Sequence, residues 1–433
     1  MNDLPSGWAW TTVGEVAQLT DGPFGSNLKT AHYVDDGPRV VRLQNIGEGV
    51  FRDERAHITE EHYEQLKKHA VQPGDVVIAS LGDEAPRACL IPSRLGPAIV
   101  KADCIRARPL AGVEPGFLMW MLNSPPMRRQ AALTIKGIGR PRLGLGGIRQ
   151  LRFALPPLAE QRVIVAAIEE HLSRIEAAGH LLQVVAARLR QLRSALLQAV
   201  RGAAGVELQE LAEVVAGHTP KGLAASEAGT IPFFKVGDMN TAVAGRMSAS
   251  RLMLDEEAVS RYRLRVWPAG TVVFPKQGGA IATNKKRVLG LAGACDLNTM
   301  GVIPGPALRS RFLQLWIETV DLSKLSDGSV VAQIKRPTIE RLRIPHLPIA
   351  EQEALADELE ASLSKIETVR GTAENAEVLA HSLRRTILAR AFRGELVPQD
   401  PNDEPASVLL ERIAAERAAA LVPTRERRVR TPA

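Results

Sequence analysis

The apolar positions of this chain follow two different rhythms. Over residues 160–202, Ile168, Leu172, Ile175, Leu182, Val185, Leu189, Leu192 and Leu196 follow at spacings of 4, 3, 7, 3, 4, 3 and 4. That is the seam of a coiled coil, weakened where Gly179 takes the skipped position. Over residues 351–394 the seam is looser: Leu359, Leu363, Ile366, Ala373, Ala376, Leu383 and Ile387 share one side. Small residues there admit a partner helix. Prolines precede Glu160 and Glu351, acidic residues that suit the positive start of a helix. Gly202 and Gly394 stand where such helices should stop. At about 40 residues each, the two helices would span roughly 60 Å. One alone would expose a leucine stripe, so an antiparallel pair inside the chain is predicted. The alternative is two separate helical hairpins, each on its own block.

The remaining sequence has the shorter rhythm of mixed, β-rich structure. Val76-Val77-Ile78 and Val272-Val273-Phe274 are buried-strand runs after Pro/Gly turns. Ile99-Val100 and Gly301-Val302-Ile303 predict further strands. Met119 to Leu122 and Leu313 to Ile317 predict helix. After a loop over Pro398 to Pro405, Val408, Leu409, Leu410, Ile413 and Ala414 mark a short amphipathic helix, and Arg425 to Arg430 a solvated tail.

The chain repeats itself once. Ile148 through Gln161, ending Leu155-Pro156-Pro157-Leu158-Ala159-Glu160-Gln161, lies over Ile339 through Gln352, ending His346-Leu347-Pro348-Ile349-Ala350-Glu351-Gln352, at a shift of 191 residues. The match continues through Leu172 to Glu176 over Leu363 to Glu367. Weaker echoes lie upstream, Pro73-Gly74-Asp75-Val76-Val77 over Pro268-Ala269-Gly270-Thr271-Val272-Val273 among them. The reading is an α+β protein with two mixed, β-rich domains in tandem (1–159 and 203–350), separated by two long antiparallel helices (160–202 and 351–394) in pseudo-twofold arrangement. A C-terminal tail (395–433) follows.

The 433 residues and 45% apolar content fit two or three globular domains, with no apolar run long enough for a membrane helix and no secretory signal. Three scattered cysteines, Cys89, Cys104 and Cys295, read as small buried apolar residues in a reduced, cytoplasmic compartment. The net charge of +7 is concentrated on the two blocks, +3 on residues 1–159 and +5 on residues 203–350. A polyanionic partner would meet charge there.

Catalytic machinery is missing. Asn123-Ser124-Pro125-Pro126-Met127 superficially resembles the Asn-Pro-Pro-aromatic motif of adenine methyltransferases, but Ser interrupts it and Met replaces the ring. It reads instead as a helix stop. The sequence has no Gly-rich loop for S-adenosylmethionine and no phosphate loop. Asp83-Glu84 and the acidic stretch from Asp400 to Asp403 read as exposed loops, and the nine histidines form no metal set.

Several loops carry residues suited to DNA. Lys276, Gln277, Asn284, Lys285, Lys286 and Arg287 sit on a Gly-permitted loop after a strand. Amides pair bidentately with adenine, and Arg or Lys with guanine. An ordinary basic hairpin is the competing reading. Lys136, Arg140 and Arg142 form the rival stretch of the first block, with Lys335 and Arg336 in the second. Lys29 and Lys221 lie near the block starts, while Arg42, Gln44 and Asn45 follow one strand as Lys235 follows its counterpart. Simple surface solvation competes at each position.

The Pro-Pro-Leu-Ala-Glu-Gln motif, the repeated helix ending in Arg-Gly, and the run from Ala391 to Ala406 resemble the specificity subunit of type I restriction-modification enzymes over essentially the whole chain. The resemblance implies two target recognition domains held apart by paired helices, binding a bipartite, asymmetric double-stranded DNA site with one half per domain. It implies a non-catalytic subunit that scaffolds two methyltransferase subunits, and two motor-nuclease subunits for restriction. S-adenosylmethionine, ATP and Mg would belong to those partners, with no cofactor on this chain. The alternatives are a protein-only scaffold with two adaptor domains and a fused methyltransferase or nuclease. The second helix entry departs from the first by losing one proline, since His346-Leu347 replaces Leu155-Pro156.

Overall fold

A computed structural model describes residues 4–23, 27–82, 85–135, 142–202, 205–224, 229–328 and 331–421. The chain forms two compact units, residues 1–181 with 376–433, and residues 182–375. The units do not follow chain order. Both long helices, α6 (Leu158–Gln198) and α11 (Ile349–Ala391), are continuous and divided between them.

In unit 1 the strands are β1 (Ala9–Thr12), β2 (Ala17–Asp21), β3 (Tyr33–Val41), β4 (His57–Ile58), β5 (Ala70–Val71), β6 (Val76–Ala79), β7 (Arg87–Leu90), β8 (Ala98–Val100), β9 (Cys104–Pro109) and β10 (Arg152–Leu155). They form sheets in the orders β2-β9-β6-β7 and β4-β3-β8-β5, and the pair β1-β10. The shorter helices are α1 (Val13–Val16), α2 (Glu60–Gln65), α3 (Pro115–Leu122), α4 (Pro125–Ala132) and α5 (Leu145–Arg149), with α12 (Ala406–Leu421) near the end of the chain. In unit 2 the strands are β11 (Val206–Glu207), β12 (Ala212–Ala216), β13 (Ile231–Phe234), β14 (Arg246–Met247), β15 (Met253–Leu254), β16 (Val272–Pro275), β17 (Arg287–Leu289), β18 (Ala294–Cys295), β19 (Thr299–Pro304) and β20 (Arg343–Ile344). They form β12-β19-β16-β17-β14, β15-β13-β18 and β11-β20. The helices there are α7 (Leu208–Leu211), α8 (Glu256–Arg261), α9 (Ser310–Glu318) and α10 (Arg336–Glu340).

Six pairings recur between the units with the same polarity. The antiparallel pairs β1·β10, β2·β9, β6·β9, β6·β7 and β3·β4 match β11·β20, β12·β19, β16·β19, β16·β17 and β13·β15. The parallel pair β3·β8 matches β13·β18. The blocks are therefore repeats in topology where their sequences have diverged. Both runs predicted as further strands are strands, and the pairing makes Ala98–Val100 the counterpart of Ala294–Cys295 and places Gly301-Val302-Ile303 on β19.

Local sequence explains the elements. β6 and β16 are fully buried central strands made of Val, Ile, Ala, Phe and Pro. Pro115 at the start of α3 supplies a fixed φ where no N–H is required. Asn123-Ser124-Pro125-Pro126-Met127 stops α3 and also starts α4, since the Ser124 hydroxyl accepts the Met127 N–H and prolines occupy the first turn. Buried Asn123 bonds the backbone of Ala88 and Met119. The three cysteines are free and buried, and burial pushes the Cys89 and Cys104 thiols up to about 12.

Each unit holds the N-terminal half of one long helix and the C-terminal half of the other, running antiparallel. In unit 1, Ile164, Ile168 and Leu172 share a core with Ile387, Leu388 and Ala391, while Glu176 faces Arg384 at 3.6 Å. In unit 2, Leu196, Leu197 and Val200 share a core with Leu355, Ala356, Leu359 and Leu363. Burial concentrates where the helices meet the blocks. Away from them Leu192 and Leu383, both assigned to the seam, are 50% and 47% exposed. Gly202 and Gly394 take positive φ, 58° and 73°, after the helices end.

The repeated Ala-Glu-Gln motif has a clear task. Gln161 and Gln352 are both 0% exposed. The Gln161 carboxamide donates to the Pro156 carbonyl (2.9 Å) and accepts the Glu114 N–H (2.8 Å) just before α3. Gln352 donates to the Leu347 and Ala307 carbonyls (2.8 and 2.9 Å) and accepts the Arg309 N–H (2.8 Å) just before α9. The same side chain thus pins each block's apolar helix to the start of its own long helix. The preceding glutamates differ. Glu351 is exposed, whereas Glu160 is buried and accepts the Trp8 indole N–H at 2.9 Å. Burial raises the Glu160 carboxyl above the ordinary glutamate range. The neutral form is favoured on folding, so its contribution is complete below the ordinary glutamate pKa and lost as pH rises through the elevated one. Glu160→Gln keeps the Trp8 bond and should raise the unfolding midpoint at pH 7–8 while leaving it unchanged near pH 4. A thermal melt series across that range checks this; a midpoint lowered at neutral pH would show that the carboxylate itself is stabilising.

Candidate nucleic-acid interface

Strand polarity gathers the candidate loops. In unit 1, β2, β3, β6 and β8 end, and β9 and β7 begin, at one end of the sheets: Asp21 pairs with Ile105, Ala79 with Cys104 and Arg87, and Val41 with Val100. In unit 2 the equivalent rim is set by Ala216 with Met300, Pro275 with Thr299, and Phe234 with Cys295. Loops distant in sequence are tied together there. The His218 N–H bonds the Cys295 carbonyl, Lys276 N–H the Asn298 carbonyl, and Ile334 N–H the Lys276 carbonyl.

Most of the described candidates lie on these rims. Lys235 and exposed Lys221 sit on the connections leaving β13 and β12, and half-buried Lys276 and Gln277 immediately follow β16. Gln277 bridges Gln333, and Lys335 follows two residues later, 3.8 Å from Asp327. The 276–287 segment connects the antiparallel hairpin β16–β17, and within it Gly278–Thr283 forms a short 3-10 turn closed by Asn284 at φ 50°. Lys285 bonds Asn240, and the Arg287 guanidinium bonds the Met239 and Lys286 carbonyls. In unit 1, exposed Gln44 and half-buried Arg42 project from the connection after β3, with Arg42 bonded to the Arg55 carbonyl. Exposed Lys29 lies on the β2–β3 connection. Arg142 bridges Leu81 and pairs with Asp103 at 3.1 Å. Lys136 and Arg140 lie outside the described residues.

Three candidates are corrected. Asn45 is 1% exposed and its amide is consumed inside its loop: it accepts the Arg42 N–H and donates to the Arg52 and Glu54 carbonyls. Lys286 is 2% exposed, donating to the Val320 carbonyl and Asn284, and burial lowers its pKa. Both side chains are spent on bonds inside their own block. Arg336 stands apart from the rim, in a cleft near the Ala212 end of β12, paired with Glu340 at 2.6 Å. Asn284 is exposed, but its oxygen already accepts from Leu322 and Lys286.

Lys101 was missed by the sequence reading. It lies in the β8–β9 turn on the rim, its ammonium 5.4 Å from the Tyr33 ring centroid. The sequence held no signal for it, since its counterpart in the second block, set by the matching β8 and β18 pairings, is Asp296. Among the described residues no group of three or more His, Cys, Asp or Glu could hold a metal ion, and no helix is long and apolar enough to cross a membrane.

A scan against protein-family models finds no match. The chain is 24% identical over 450 residues to the StySPI type I restriction enzyme specificity subunit of Salmonella potsdam, covering 96% of each chain. It is 22% identical over 468 residues to the EcoKI specificity subunit of Escherichia coli strain K12, covering 96% of this chain and 97% of that one. Over nearly its whole length the chain is thus similar to type I restriction-modification specificity subunits. A solved chain from a study of assembly and conformational transition of the type I R-M system shares the fold, with a TM-score of 0.74 and 19% identity over 91% of this chain and 100% of that one.

Proposed function

We propose that this chain is the non-catalytic DNA-recognition subunit of an adenine-specific methyltransferase and endonuclease. Each block reads one half of a bipartite, asymmetric double-stranded site through its rim loops. The chain scaffolds two methyltransferase subunits, which carry S-adenosylmethionine, and two motor-nuclease subunits, which carry ATP and Mg. It works in the cytoplasm and holds no cofactor of its own. One observation carries the reading most: two blocks of unlike sequence place their polar and cationic loops at the same end of equivalent sheets. Two such readers in one chain suit two half-sites at a set separation, and unlike loops suit unlike halves.

The test is co-expression with a methyltransferase partner followed by mapping of adenine methylation across the host genome. The expected result is a split motif with a fixed gap, methylated on both strands. Exchanging residues 203–350 for the equivalent block of a relative should change one half only. A stable complex without methylation would favour a protein-only scaffold, and methyl transfer by the isolated chain would favour a fused enzyme.

A further inference from the structure

The 191-residue shift that sets Gln161 over Gln352 also sets Arg193 over Arg384. Both arginines lie in the C-terminal half of a long helix, so each stands in the unit whose block belongs to the other repeat. We propose that Arg384 and Arg193 are positioning residues that register the rim loops of each block against the helix pair, and so set how each half-site is read. The proposal rests on the DNA-reading function proposed above.

In unit 1 the Arg384 guanidinium donates to the Glu48 carbonyl at 2.9 Å and lies 3.9 Å from the Glu48 carboxylate. It also faces Glu176 of α6 at 3.6 Å and sits over the Trp120 ring at 5.6 Å. Arg128 of α4 reaches the same Glu48 carboxylate at 2.7 Å. Glu48 belongs to the closed loop that carries Arg42 and Gln44. That loop is held by the Ile46–Phe51 bridge and by the Asn45 amide on Arg52 and Glu54. Gly49, at φ 78°, lies so close to Trp120 that a Cβ would fall 2.2 Å from the ring. The loop therefore rests on Trp120 and is clamped by Arg384, so a shift of α11 must move Arg42 and Gln44 with it.

Unit 2 makes the same connection with different residues. Arg193 of α6 bonds the Glu318 carboxylate at the end of α9, 3.0 Å away. Two residues on, the Val320 carbonyl accepts the buried Lys286 ammonium, which also bonds Asn284, while Asn284 accepts the Leu322 N–H. The path leads from the long helix through Glu318 and the chain segment after it into the loop holding Gln277 and Lys285. A planar guanidinium that makes several bonds at once fixes orientation as well as distance, which a lysine does not. Matching positions in two diverged halves, each joined to a rim loop through a different acidic residue, argue for a shared task.

The experiment compares full-length wild type, Arg384→Ala, Arg193→Ala, Arg384→Lys and Glu48→Gln. Hydrogen exchange reads the loops directly. Arg384→Ala and Glu48→Gln should speed amide exchange over residues 43–52 by about tenfold or more and leave residues 276–287 unchanged, and Arg193→Ala should do the reverse. Arg384→Lys should restore protection only in part. Titrations with the mapped DNA site and single-base variants of each half read the consequence: Arg384→Ala should blunt discrimination in one half and Arg193→Ala in the other. Unchanged exchange in both loops, or equal loss of discrimination in both halves, overturns the proposal. If wild type shows no sequence preference on DNA, the DNA-reading function falls, and the exchange result still decides whether the arginines position the loops. Glu48→Gln, a half-exposed loop residue, keeps the test open should Arg384→Ala not fold.

Discussion

Gln161→Ala should destabilise unit 1 by about 3 kcal/mol, and Gln352→Ala should do the same to unit 2. Each carboxamide is wholly buried and bonds backbone groups where block and long helix meet. Truncating Gln161 orphans the Pro156 carbonyl and the Glu114 N–H; truncating Gln352 orphans the Leu347 and Ala307 carbonyls and the Arg309 N–H. A buried, unsatisfied backbone group costs about 1–3 kcal/mol, and the empty volume adds to that. Gln161→Glu should be worse than Ala, because a carboxylate would replace the donor that faces Pro156. Denaturant unfolding followed by tryptophan fluorescence checks this. Trp8, Trp10 and Trp120 report on unit 1, Trp267 and Trp316 on unit 2. A loss below about 1 kcal/mol would mean that the apolar packing of α3 and α9, not the carboxamide, fixes the blocks.

Replacing Lys101, Lys235 and Lys276 together by Gln should weaken DNA binding by about 10- to 1000-fold near physiological salt and make the affinity less steep in salt by about 2 to 3 on a log–log plot. All three follow strands that end on the rims, Lys101 after β8, Lys235 after β13 and Lys276 after β16. Each phosphate neutralised releases condensed counterions, so loss of affinity and loss of slope should go together. Asn45→Ala is the contrast. It should lower stability, because the Arg52 and Glu54 carbonyls lose their donor, and leave the salt slope unchanged. Fluorescence anisotropy between 50 and 200 mM salt separates the two outcomes. An unchanged slope in the triple variant would place the DNA elsewhere on the chain.

Much of this protein is legible in its sequence because the relevant physics is local. Heptad spacing, prolines before Glu160 and Glu351, and Gly202 and Gly394 after the last turns specify where two long helices begin and end. The 191-residue repeat specifies that there are two similar halves, and the runs beginning at Val76 and Val272 specify central strands. Tertiary structure decided the rest, because it depends on which distant segments meet. The exchange of half-helices between units arises because each seam is completed by the other repeat's helix, which no single window of sequence contains. The rims exist because strands of fixed polarity end together, bringing Lys276, Asn298 and Ile334 side by side. The same closure withdrew Asn45 and Lys286 from the surface: in sequence they are polar residues on loops, and only the neighbouring carbonyls that bind them turn them into buried struts. Arg384 and Arg193 were ordinary helix-surface charges until the fold set Glu48 and Glu318 beside them.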